Sequence, residues 1–130
     1  MSDIALLVGR VIVGGYYIYN AFNHFTHIPM MAKHAGSKGV PMPKAAITIS
    51  GLLLLAGGAS ILLGCQPEMG AIAIILFLVP VTLTMHNFWA DTDPMQKMAN
   101  TINFAKNMAL LGAALMYLGV PRPWPYSVHF

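Results

Sequence analysis

Two stretches decide the fold: Pro80-Val-Thr-Leu-Thr-Met-His-Asn-Phe-Trp89 and Phe104-Ala-Lys-Asn-Met-Ala-Leu-Leu111. The first closes a run that is apolar over the length of a membrane span and ends in polar and aromatic residues. The second begins with amide and lysine side chains and then becomes wholly apolar. A short polar loop joins them. The pattern therefore predicts two membrane helices in a hairpin, with their polar residues gathered at one end.

The composition of the whole chain agrees with a membrane protein. Of its 130 residues, 57% are hydrophobic and only 8% are charged, whereas a soluble domain carries about 25% charged residues. So little charge cannot cover a water-facing surface. The net charge of +3 is spread over loops and forms no basic stripe, which argues against a nucleic-acid-binding protein.

Four apolar runs are long enough to cross a bilayer, which takes about 20 residues as a helix. They are about Ile4–Phe25, Ala45–Gly64, Met69–Ala90 and Thr101–Gly119, and the last helix can begin earlier, at Met95. We predict an all-α integral membrane protein with one transmembrane domain over residues 1–130. Because the second and third connections are short, the four helices are expected to form an up-and-down bundle.

In such a bundle, three helices bring polar side chains to the same membrane face. Polar groups in lipid are costly unless paired, and they generally face the bundle interior. The pattern predicts a cofactor site for a quinone headgroup, because donors and an aromatic ring converge there. Its residues are His24, His86, Trp89, Lys106 and Asn107.

Two other interpretations of this cluster stay open. The polar residues can form a structural hydrogen-bond network that closes one end of the bundle. Alternatively, His24, His27 or His86 can bind a metal or haem, but no HExxH, CxxC or CxxCH spacing supports such a site. We therefore predict no metal site, and haem is the weaker cofactor alternative to quinone.

Arg10 lies toward the opposite end of the first run and needs a partner. Glu68, at the start of the third run, is the predicted partner in a structural ion pair, and Asp3 is the alternative. Without a partner, Arg10 would extend its side chain to the near headgroups.

The other titratable residues are given ordinary roles. Asp91 and Asp93 are predicted to be turn and cap residues rather than a catalytic pair. His34 lies in the long first connection and His129 in the tail, so both are expected to be solvated. Met30–His34 is predicted to form a short helical turn on the membrane surface.

The order of several motifs resembles the DoxX family of small four-helix membrane proteins. The motifs are Arg10 followed by Gly14, Gly39-Val-Pro41, the glycine-rich second run ending at Gly64, and Phe104-Ala-Lys-Asn107 running into Leu110-Leu-Gly112. The resemblance implies a four-helix bundle and a link to membrane redox systems. Some members are subunits of thiosulfate:quinone oxidoreductases, and others associate with thiol and superoxide defence proteins.

No nucleophile with its base, phosphate loop or dinucleotide fingerprint is found in the sequence. We therefore expect a subunit of a larger respiratory or redox membrane complex that is not catalytic alone and lies near a quinone site. Its partners would be the lipid bilayer and other membrane subunits, in a prokaryotic inner membrane. The alternatives are a free-standing quinone-linked oxidoreductase component of the thiosulfate:quinone type and a small membrane transporter.

Overall fold

A computed structural model describes residues 2–128. Its elements in order are α1 (Ser2–Thr26), α2 (Ile28–Ser37), α3 (Pro43–Leu63), α4 (Pro67–Met85), a 3-10 turn (Phe88–Ala90) and α5 (Pro94–Leu118). The described part of the chain holds helices and no strand, which confirms the predicted all-α class.

Proline and glycine set most of the helix boundaries. Helices α2 to α5 each carry a proline in their first turn, where a missing N–H is harmless because no acceptor exists for it within the helix. Helix α3 ends at Gly64, whose φ of 68° lies in the left-handed region. Glycine adopts that conformation without a steric penalty and so closes a helix.

Among the described residues, three segments are long and apolar enough to cross a membrane. These are α1, α3 and Pro67–Ala90. Helix α5 is long but less apolar, because amide and lysine side chains occupy its first half. Three of the four predicted spans are therefore confirmed by length and composition. The fourth predicted helix exists and begins at Pro94, close to the earlier of its two predicted starts, Met95.

Helix α3 is the element on which α1, α2 and α4 pack, and α5 packs on α4 and the 3-10 turn. The four long helices share one core. Its buried members are Tyr17, Ala21, Leu54, Ile74, Leu78 and Ala114. Lipid tails are as apolar as these side chains, so moving the side chains from lipid into the core gives no hydrophobic driving force. Close packing between the helices therefore holds them together.

The long first connection is more ordered than the sequence predicts. The short turn expected at Met30–His34 is part of the ten-residue helix α2. Ala32 and Ala35 of this helix are buried against Ile47 of α3. Helix α2 therefore packs on one end of the bundle.

At the other end of the bundle, the guanidinium of Arg10 is bonded to backbone carbonyls. Its Nε donates to Ile61 O at 3.3 Å, and its Nη2 donates to Leu62 O at 3.1 Å. It also donates to the carbonyls of Pro125 and Tyr126 in the C-terminal tail. The last carbonyls of a helix lack intrahelical donors, so Arg10 caps α3 and ties the tail to it.

The predicted ion pair between Arg10 and Glu68 is therefore not formed. Glu68 is exposed, and the ion pair found within residues 2–128 joins Lys38 to Asp91. The face of Arg10 is covered by Trp124, whose ring centroid lies 5.9 Å from the guanidinium carbon. A hydrogen bond from Val128 N to Leu63 O, at 2.8 Å, secures the tail further.

Candidate functional site

A cavity of about 690 Å³ lies between the helices, and all five of them contribute to its mostly apolar lining. This volume lies within the range of about 300–1,000 Å³ found for small-molecule sites. Four of the five residues predicted for the cofactor site line it: His24, His86, Lys106 and Asn107. The structure thus brings residues from α1, α5 and the end of α4 to one space.

Trp89, the fifth predicted residue, lies outside this lining. Its side chain is 56% exposed and packs edge-to-face against Phe88 and Phe104, with ring centroids 5.3 and 6.0 Å away. The prediction assumed that α4 continues to residue 90. Because α4 ends at Met85 and a 3-10 turn follows, Trp89 leaves the helical face that it would have shared with His86.

His24 is held near the end of α1 and is 8% exposed. Its Nδ1 lies 2.8 Å from the backbone oxygen of Asn20, one turn earlier. Its ring meets Phe77 of α4 edge-on at 5.8 Å between centroids. These contacts fix the orientation of an imidazole that borders the cavity.

His86 is held by a chain of polar side chains from separate segments. Its Nδ1 lies 3.3 Å from Asn100 Oδ1, and Asn100 Nδ2 donates to Asp91 Oδ2 at 2.7 Å. The ammonium of Lys38 lies 3.9 Å from Asp91 Oδ1 and donates to Asn87 Oδ1 at 2.9 Å. We refer to Lys38, Asp91, Asn100 and His86 as the polar relay. It joins the connection between α2 and α3, the loop before α5, α5 itself and the end of α4.

The contacts that form the polar relay were not predicted from the sequence. Asp91, predicted as a turn residue, is one of its members, and its side chain is largely buried. The prediction for Asp93 is confirmed, because its carboxylate accepts from Gln96 N at 3.2 Å at the start of α5. His34 is exposed, as expected, but it also borders the cavity. His129 lies outside the described residues.

Asn107 is the most informative polar residue of the cavity. It is 6% exposed, yet no hydrogen bond to its amide is found within residues 2–128. No fully enclosed polar side-chain atom in that part of the chain is left without a partner, so the Asn107 amide must keep access to the cavity space. A buried amide with such access is arranged to bond a ligand or water rather than protein.

Lys106 precedes Asn107 on α5 and also lines the cavity. Its ammonium has no carboxylate partner among residues 2–128. The cavity lining therefore includes a positive charge and the imidazole of His86.

The donor set does not suit a metal ion. In residues 2–128, no three His, Cys, Asp or Glu side chains are grouped closely enough to hold one. The cavity instead combines an apolar wall with a few separate donors and acceptors. That arrangement fits an organic ligand with an apolar body and polar oxygens.

Comparison with known proteins identifies the family. The DoxX family model matches residues 5–87, which is more than half of the chain. No curated protein and no solved structure gives a significant match. The matched region includes His24 and His86, whereas Lys106 and Asn107 follow it. With three helices apolar enough to span a membrane, the chain is a membrane protein that belongs to the DoxX family.

Proposed function

We propose that this protein is an integral subunit of a membrane redox complex and that its cavity binds the headgroup of a quinone. The observation that carries the proposal is the buried amide of Asn107, which faces an apolar cavity and has no partner in residues 2–128. Because that amide keeps access to the cavity, it is free to bond an oxygen of a bound ring in place of water.

The shape of the cavity supports a ligand that arrives from the bilayer. Tyr17 and Phe77 supply aromatic surface to its lining. Ile49 of α3 and Leu76 of α4 also line it, although both side chains are more than half exposed. The cavity therefore reaches helix faces that would contact lipid, which suits a lipid-soluble molecule with an apolar tail.

The proposal includes α5 as a fourth span, which would complete an up-and-down bundle with both termini on one side. Helix α5 has 25 residues and buries Ala114 in the shared core. It exposes Met108, Leu115 and Met116, an apolar surface that a partner subunit or lipid would cover. The short connections leave no room for a catalytic domain, which supports a subunit that is not catalytic alone. We place it in a prokaryotic inner membrane.

A photoreactive quinone tests the ligand. The chain, purified in mild detergent with its native neighbours, is labelled with a ring-azido benzoquinone, and the labelled residues are mapped by mass spectrometry. We expect labelling near His86 and Asn107 that excess unlabelled quinone suppresses. It should fall sharply in the double variant His86→Leu/Lys106→Met.

The matched control is His27→Leu/Lys97→Met, which makes the same chemical changes outside the cavity lining. Equal labelling of both double variants would contradict a quinone site in the cavity. Full quinone reduction by the isolated chain would contradict a subunit that needs partners for catalysis.

A further inference from the structure

We infer that the cavity selects the hydroxyl-bearing reduced ring, a hydroquinone, over the quinone. This inference rests on the proposed function and specifies which redox form the site holds. It follows from the hydrogen-bond polarity of two imidazoles, His24 and His86, which both line the cavity.

The tautomer of His24 is set by its own helix. Its Nδ1 lies 2.8 Å from the carbonyl oxygen of Asn20. A backbone carbonyl can only accept a hydrogen bond, so Nδ1 must carry the proton. In the neutral ring, Nε2 then holds a lone pair and can only accept.

The tautomer of His86 is set by the polar relay. The Asp91 carboxylate, with the Lys38 ammonium 3.9 Å away, is an acceptor. Asn100 must therefore turn its NH₂ group toward Asp91, and that bond is 2.7 Å long. The amide oxygen of Asn100 is left facing His86 Nδ1 at 3.3 Å. Since that oxygen only accepts, His86 also donates through Nδ1 and keeps Nε2 as an acceptor.

The other polar groups of the cavity are donors or can act as donors. The Lys106 ammonium only donates, and the Asn107 amide can donate. A site that combines acceptors with donors complements a hydroxyl group, which donates one hydrogen bond and accepts others. A quinone oxygen only accepts, so it would satisfy the donors and leave both imidazole lone pairs unpaired.

Leaving acceptors of the site without a hydrogen-bond donor discriminates strongly between two ligands of the same shape. A site built to bond a hydroxyl rejects the analogue that lacks it, because its buried polar groups are then left without partners. Asp91 and Asn100 do not line the cavity, and they act through His86 as positioning residues. Removing Asn100 would release the His86 ring to the other tautomer, whose Nε2 carries the proton and donates a hydrogen bond to a quinone oxygen.

Binding measurements on the full chain in lipid nanodiscs test this inference. The probes are a short-chain benzoquinone, its hydroquinone, and the dimethyl ether of that hydroquinone, which keeps the ring and oxygens but has no O–H. Under anaerobic conditions we expect the hydroquinone to bind at least about tenfold more tightly than either of the others, because each imidazole lone pair left unpaired costs about one hydrogen bond.

The Asn100→Leu variant should bring the hydroquinone-to-quinone affinity ratio toward one. Asn103→Leu is the matched control, because Asn103 lies on the same helix but outside the relay and the cavity lining. Nitrogen-15 NMR of labelled histidines gives a second readout. His24 and His86 should both carry the proton on Nδ1, and Asn100→Leu should change His86 alone.

The outcomes separate this inference from the proposed function. If quinone and hydroquinone both bind, but with equal affinity or with the quinone tighter, the redox selectivity is wrong and the quinone site stands. If neither ring binds, both proposals are wrong. Should Asn100→Leu fail to fold, the wild-type affinity ratio and the wild-type tautomers decide: a proton on Nε2 of His86 would overturn the inference.

Discussion

Gly14 of α1 lies so close to Gly58 of α3 that a methyl group at Gly14 would come within 2.9 Å of the Gly58 carbonyl oxygen. The relationship is mutual, since a methyl group at Gly58 would lie 3.0 Å from the Gly14 carbonyl oxygen. Backbone atoms cannot move aside as a flexible side chain can. This glycine contact therefore sets how closely α1, which carries His24, approaches the rest of the bundle.

Gly14→Ala should consequently destabilise the fold by about 1–3 kcal/mol, the usual cost of overpacking. Gly15→Ala is the matched control, because its new methyl group meets no atom within 4 Å, and alanine is the better helix former. Unfolding in detergent, followed by circular dichroism, measures both. Equal losses would show that α1 and α3 are not held at this distance.

Arg10→Met should destabilise the protein because it leaves carbonyls at the end of α3 and in the tail without their donor. Hydrogen bonds to charged groups contribute about 1.5–3 kcal/mol each, so we expect a loss of several kcal/mol in detergent unfolding. The tail should also become sensitive to protease near Trp124, which is 2% exposed in the intact protein.

Glu68→Gln is the matched control for Arg10. Since Glu68 is exposed and is not bonded to Arg10, its substitution should change stability by less than about 0.5 kcal/mol. The effect should be the same in the Arg10→Met background. A large interaction energy between the two sites would instead support the ion pair that the sequence predicted.

Asp91 and Asp93 should respond differently to the same substitution. Asp93→Asn should be nearly neutral, because asparagine caps a helix as well as aspartate does. Asp91→Asn should cost about 1–3 kcal/mol, because it leaves the Lys38 ammonium without its carboxylate. Thermal unfolding of the two variants side by side measures the difference. A neutral Asp91→Asn would mean that the polar relay is not held by charge.

The sequence was sufficient for the elements whose signals are local. The apolar runs located α1, α3 and α4, and the resemblance to the family followed from the order of motifs along the chain. Helix α2 was underestimated because its buried residues are Ala32 and Ala35, which are too small to give a clear apolar pattern. The start of α5 was left between Met95 and Thr101 because its first turns are polar, and the structure begins it at Pro94.

The site residues that were missed depend on contacts between distant segments. Lys38 reaches Asp91 only because α2 packs back on α3, and nothing in the spacing of these residues predicts that. Trp89 was misplaced because a break of only two residues, His86 and Asn87, separates α4 from the 3-10 turn. The partner of Arg10 was predicted wrongly because only residues of opposite charge were considered. The backbone carbonyls at a helix end also accept hydrogen bonds, and a charge pattern does not show them.

Asn107→Leu should separate ligand binding from stability. Leucine has nearly the same size, and the amide that it replaces has no protein partner and keeps access to the cavity, so the stability of the ligand-free protein should change by less than about 1 kcal/mol. The affinity for the ring should fall roughly tenfold because one hydrogen bond to the ligand is lost. Asn103→Leu should leave binding unchanged, since Asn103 is outside the lining. Unfolding of the ligand-free chain measures the change in stability, and titration with the hydroquinone in nanodiscs measures the change in affinity. A variant that loses stability and keeps its affinity would show that Asn107 is a structural residue of the bundle and that the cavity binds its ligand elsewhere.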